Sequence, residues 1–204
     1  MGDTMKRIIF ATTNEGKMKE IKAILSDLNV EIVSLKEAGI HVNIVEDGDT
    51  FEENAIIKAK TIMELTGEIV LADDSGLEVD AMDKEPGIYS ARFLGEGTSY
   101  DIKNQHILDK LKDVEQEDRS ARFVCVIACA MPGGEILTKR ATIEGFIGYE
   151  ITGSNGFGYD PIFWIPEYNN TLAQISLEQK NEISHRGKAL MEMREELKKK
   201  LKEN

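Results

Sequence analysis

Three polar clusters interrupt an otherwise ordinary apolar pattern, and each carries side chains suited to chemistry. The first is Thr12, Thr13, Asn14, Glu15, Gly16 and Lys17, between an apolar run and a helical pattern. The start of a helix offers unpaired N–H groups and a positive dipole end, which attract anions, and Lys17 would add a full charge. The segment is not a Walker A loop, because the two-glycine spacing and the Gly-Lys-Ser/Thr ending are missing. An N-cap turn with a solvated lysine accounts for it as well. The second cluster is Asp73, Asp74, Ser75 and Gly76, after an apolar run. Adjacent carboxylates at a strand end commonly hold a divalent metal beside phosphate oxygens, and they repel each other if left unpaired. An Asx-type turn closed by Gly76 is the alternative. Glu46, Asp47 and Asp49 add carboxylates that complete a metal shell or form an acidic surface loop. The third cluster runs over residues 153–160 and is followed by Lys180 and by Ser184, His185, Arg186 and Gly187. Glycines around an aromatic let a flat ring approach the backbone. Phe157 could stack on a base, Asp160 could accept from it, and His185 and Arg186 could donate to a carbonyl or a phosphate. Each also has a plain role: core for Phe157 and Tyr159, a cap for His185, an ion pair for Arg186. Three such clusters in one chain are harder to dismiss than any one of them.

These clusters need elements to hold them. Residues 6–11 read as a buried strand ending in the polar turn at 12–14, and Met18, Ile21, Leu25 and Leu28 then step by three and four, one face of a helix. A second strand covers 31–35. Thr50 and Glu53 form a capping box opening a helix that Gly67 closes. Phe51, Ala55, Ile62 and Leu65 share one face of it, and Lys58 falls in the middle of that apolar stripe. A lysine there must be paired or must open onto a cleft. Residues 68–72 and 77–82 read as two strands separated by the acidic turn. A polar helix spans 99–114, a long strand 119–131, a Pro-Gly-Gly hairpin turn 132–134 and its partner strand 135–147. A short strand at 161–165 and a helix from about 184 to 201 complete the chain. Strands alternate with helices and then a hairpin follows, so the fold class is α/β with a mixed sheet and flanking helices. Residues 1–5 read as a short extension, 6–201 as one domain and 202–204 as a tail.

Composition narrows the partners. The chain has 204 residues, with 25 Lys+Arg against 37 Asp+Glu and a net charge of −12. That balance argues against a nucleic-acid or anionic-membrane binder. The longest apolar run, residues 123–131, is far short of the roughly 20 needed to span a bilayer. The first seven residues lack the apolar core of a signal peptide. Cys125 and Cys129 fit neither a zinc nor a redox motif and read as core residues of a reduced, cytoplasmic protein.

Five motifs occur in sequence: TTNEGK at 12–17, DDSGL at 73–77, PGIYSARF at 86–93, GFGYD at 156–160 and SHRGK at 184–188. In order and spacing they resemble the inosine/xanthosine triphosphate pyrophosphatase family, over residues 6–190. The resemblance implies an elongated, two-lobed α/β domain with a central cleft, usually a homodimer. It implies that Thr12, Thr13, Asn14 and Lys17, with Glu15 and Gly16 between them, hold a triphosphate. Glu46 and Asp74 would bind Mg²⁺ with Asp73 close by, and Asp74 would be the proton acceptor. Ser75 would contact substrate, and Phe157, Gly158, Tyr159, Asp160, Lys180, His185 and Arg186 would form the pocket for base and sugar. Lys58 matches a lysine of that cleft.

The reaction so implied is hydrolysis of a purine nucleoside triphosphate with a 6-keto group (ITP, dITP or XTP) to monophosphate and pyrophosphate, with Lys17, Lys58 and Lys180 stabilising the leaving group. Donors aimed at O6 would be left unpaired by the amino group of adenine, at about 1–3 kcal/mol each. The competing readings are a related pyrophosphatase acting on other altered nucleotides and a non-catalytic nucleotide sensor.

Overall fold

The computed structural model describes residues 6–203. The extension at 1–5 and Asn204 of the tail lie outside the described residues.

The elements follow in the order β1 (Lys6–Phe10), α1 (Glu15–Ile24), β2 (Val30–Ser34), α2 (Phe51–Thr66), β3 (Ile69–Val79), α3 (Tyr100–Lys110), β4 (Ser120–Ala130), β5 (Ile136–Ile147), β6 (Phe163–Ile165), β7 (Asn170–Thr171), α4 (Leu177–Ile183) and α5 (His185–Glu203). The seven strands form one mixed sheet in the order β2-β1-β3-β4-β5-β6-β7. β1 runs parallel to both β2 and β3, whereas β6 is antiparallel to both β5 and β7. Parallel pairing at one end and hairpin pairing at the other is the mixed α/β architecture expected.

The chain divides into two compact units. The first holds residues 6–74, Cys125–Ala141 and 186–203; the second holds Ser75–Val124 and Thr142–His185. Each has its own apolar cluster. In the first, Ile8, Phe10 and Leu71 meet Met18, Ile21 and Leu25 of α1 and Leu190, Met193 and Leu197 of α5. Residues 123–131 are buried without a break, because both faces of β4 are covered there. In the second, Leu77 and Val79 pack with Ile107 and Leu111, Phe123, Ile143 and Phe163.

Several expectations change. Residues 73–76 form no turn: β3 runs unbroken from Ile69 to Val79, so both aspartates lie inside a strand. Asp and Gly are poor strand formers, but β3 lies between β1, which pairs with it over Ile69–Leu71, and β4, and strand pairing overrides propensity. The capping box of α2 is only half made. Thr50 accepts from the Glu53 N–H at 3.1 Å, but the Glu53 carboxylate accepts from Asp49 N–H, one residue before the cap. Gly67 does close α2 in the left-handed conformation. Leu65 leaves the apolar stripe and is 62% exposed, in the last turn of the helix. α4 is an additional helix. Its signal was in the sequence, since Ser176 and Gln179 make a complete capping box. The last helix reaches Glu203, so residues 202 and 203 belong to it.

Candidate functional site

The first unit gathers an unusual set of buried charges. Asn14 caps α1 by accepting from the Lys17 N–H at 3.0 Å, and Thr12 Oγ accepts from the Asn14 N–H at 3.1 Å. That double turn aims Lys17 across to β3, where its ammonium lies 2.8 Å from Asp73. Thr13 and Asn14 are exposed, Gly16 half-buried, and Glu15 faces solvent opposite Lys36.

Asp73 also receives Arg186 from α5, at 3.4 Å, and the other arm of Arg186 lies 2.6 Å from Glu20. All three of Glu20, Asp73 and Arg186 are buried. Burial alone would raise the Asp73 carboxyl, yet Lys17, Arg186 and Lys58 outweigh it and hold the group well below the usual carboxylate range. Burial likewise opposes the charge on Arg186, and Glu20 and Asp73 restore it.

Asp74 is treated differently. Its neighbour in space is Lys58, whose Nζ lies 3.4 Å from Asp74 Oδ1 and 3.1 Å from Glu46 Oε2. The lysine in the apolar stripe of α2 is therefore paired, as its position required. Asp74 Oδ2 is buried and has no hydrogen-bond partner among the described residues. Burial pushes this carboxyl up to about 6; Lys58 opposes the rise, while Glu46 and Asp73 add to it. Two adjacent aspartates, alternating sides of one strand, thus have opposite electrostatic fates.

Glu46 sits on a loop that is pinned to α2. Asn54 Oδ1 accepts from the Gly48 N–H at 2.9 Å, one helical turn before Lys58. Asn54 and Glu20 escaped the reading of the sequence. Glu20 follows Lys17 by three residues on a helix, so it shares that face, which is the signal that could have found it.

The second unit carries the glycine-rich segment. Gly156 has φ +72°, and a Cβ there would collide with Asp160 and press on Lys180. The tight turn lets Asp160 Oδ2 accept from the Phe157 N–H at 2.9 Å and from Lys180 at 2.7 Å, both carboxylate and ammonium being buried. The Lys180 ammonium also lies over the Phe157 ring, 4.3 Å from its centre. His185 stacks on Phe123, with ring centres 4.7 Å apart and planes 11° from parallel. Ser75 is half-buried at the point where β3 enters this unit.

Two expected roles shift. Tyr159 is a core residue: it is 4% exposed and its hydroxyl donates to the Ser90 carbonyl at 2.7 Å. Arg186, expected in the pocket for base and sugar, pairs with Asp73 and Glu20 in the first unit.

Acids arranged around lysines and an arginine, beside a helix start, are what an α/β protein needs to handle a polyanion and a cation together. The comparisons agree with that class. The Ham1 family pattern matches residues 8–196. A dITP/XTP pyrophosphatase of Desulforamulus reducens is 50% identical, covering 90% of this chain and 92% of that protein. One from Bacillus licheniformis is 49% identical, over 93% and 96%. The solved structure of the Staphylococcus aureus Ham1 protein superposes with a TM-score of 0.85 at 42% identity, covering 96% of this chain and all of that one. The chain belongs to the Ham1 family.

Proposed function

We propose that this protein hydrolyses non-standard purine nucleoside triphosphates (ITP, dITP and XTP) to the monophosphate and pyrophosphate. The observation that carries the reading is the divergence of Asp73 and Asp74. Asp73 is an anchor, ion-paired to Lys17 and Arg186. Asp74 keeps one buried oxygen without a hydrogen-bond partner among the described residues, and without metal, burial lifts its carboxyl to about 6. Asp74 therefore takes a proton from the attacking water. Lys17 and Arg186 hold phosphate oxygens through their fixed positions on α1 and α5, and Lys58 neutralises charge on the departing pyrophosphate.

The residues present fit a magnesium ion. Magnesium takes one or two carboxylates and completes its shell with water and phosphate oxygens. Glu46 and Asp74 already share one cation, Lys58, and Asp74 Oδ2 is available. Asp73 is committed to Lys17 and Arg186, and among the described residues no three Asp, Glu, His or Cys side chains form a metal-binding group. Glu46 and Asp74 would hold the ion and Asp73 would not. Once bound, Mg²⁺ neutralises phosphate charge and polarises the phosphorus.

In the second unit, Phe157 offers a ring to a purine, and the Asp160–Lys180 pair fixes that ring's backbone. Lys180, expected in the pocket for base and sugar and at the leaving group, pairs with Asp160 and lies over the Phe157 ring. The names and sequences of the relatives support 6-keto purines as the bases accepted. The same reading makes the protein a cytoplasmic homodimer. Cys125 and Cys129 are buried and outside any disulfide, which is compatible with a reducing compartment. Light scattering tests the dimer. Hydrolysis of ITP in ¹⁸O-labelled water tests the mechanism: label belongs in the monophosphate, and label in pyrophosphate would refute attack at the α-phosphorus.

A further inference from the structure

Helix α3 looks like a plain polar helix in the sequence, yet one face of it serves the glycine-rich turn. Tyr100, Lys103 and Asn104 lie at spacings of three and four, on the same side of the helix. Asn104 is 1% exposed, and its Nδ2 donates to the Gly158 carbonyl at 3.1 Å. Only the amide nitrogen can make that bond, so the orientation of the carboxamide is fixed by chemistry. Its Oδ1 is left buried without a hydrogen-bond partner among the described residues. The Tyr100 ring meets Tyr159 edge-on at 5.2 Å and flanks Gly158. Lys103 is 2% exposed and donates to the Ala91 carbonyl at 2.6 Å, while its ammonium lies over the Tyr100 ring. Ala91 and Ser90, whose carbonyl accepts from Tyr159, belong to the short turn Gly87–Arg92. Two segments far apart in sequence are thus fastened to each other through α3.

The need for such fastening is visible in the turn itself. Gly156 and Gly158 both have φ near +70°, a conformation that glycine adopts but does not enforce. On one side Asp160, itself paired with Lys180, accepts from the Phe157 N–H. On the other side Asn104 donates to the Gly158 carbonyl. We infer that Asn104 is a positioning residue for the nucleotide base, acting through the Gly158 carbonyl to set the Phe157 ring. This rests on Phe157 being the base platform.

Hydrogen exchange on the full-length protein separates the inference from that premise. Asn104→Ala, and Asn104→Leu as a variant that keeps the volume, are expected to raise exchange at least tenfold in the peptide over residues 154–160. Exchange in α1 and α5 should stay unchanged. Leu108→Ala, a core change on the same helix, should loosen the second unit without that focus. For dITP, KM should rise about five- to tenfold in the Asn104 variants with kcat less affected, as expected for a lost hydrogen bond to a neutral group. Inhibition by inorganic tripolyphosphate, which has no base, should not change. Unaltered exchange at 154–160 in both variants would overturn the positioning role. Localised loosening with unchanged KM for dITP would show that Asn104 positions the turn but that the turn does not hold the base.

Discussion

The two units each bury an ion pair, and the difference between them shows what a functional charge looks like. In the second, Asp160 pairs with Lys180 and also accepts from the Phe157 N–H. The pair shapes a loop. In the first, Glu20, Glu46, Asp73 and Asp74 lie among Lys17, Lys58 and Arg186. Asp74 Oδ2 has no hydrogen-bond partner among the described residues, and burial lifts this carboxyl to about 6. A structural ion pair satisfies both members. In the proposed mechanism, the unpartnered Asp74 oxygen is the one that binding satisfies.

This comparison yields tests that grade by size. The largest effect belongs to Asp74→Asn, which should lower turnover of ITP by about a thousandfold, the range of a lost general base, while nucleotide binding persists. Retained turnover would remove Asp74 from the chemistry. Next is Asp160→Ala, which strips the buried Lys180 of that carboxylate. Denaturant titration should show a loss of about 3–5 kcal/mol. Stability of Asp74→Asn should move in the opposite direction. Without metal, the folded state binds the Asp74 proton more tightly than the unfolded chain does. The stability so gained is fully present below the usual pKa near 3.8 and is lost as pH rises through about 6. In EDTA at pH 7.5 the Asn variant should therefore be more stable than the parent by about 2 kcal/mol, and the gap should close at pH 4. If both substitutions destabilise, the distinction between the two regions fails. The smallest effect is that of Arg186→Lys, which cannot span both Asp73 and Glu20. It should lower kcat/KM about tenfold, equally for ITP and for ATP. A loss confined to ITP would return Arg186 to base recognition.

Much of this was legible in the sequence because the chemistry breaks the pattern. Lys58 stood out within an apolar stripe, where it had to be paired or to open onto a cleft. Asp73 and Asp74 stood out as adjacent acids after an apolar run, but not as members of one long strand. Residue types report local preference, and the pairing of β3 that overrides it comes from strands remote in sequence. For the same reason the split between the two aspartates was unreadable. It depends on Lys17, Glu20 and Arg186, brought from α1 and α5 by the packing of the first apolar cluster. The role of α3 was hidden in another way. Its polar face looks like any solvated face until Gly158 and Ala91 are seen against it.

The central claim is tested most directly by pyrophosphate release from dITP, XTP, GTP and ATP, each with and without Mg²⁺. Release from dITP and XTP that needs the metal and exceeds that from ATP by at least a hundredfold is the expected result. Equal rates on all four nucleotides, or release of orthophosphate in place of pyrophosphate, would contradict it.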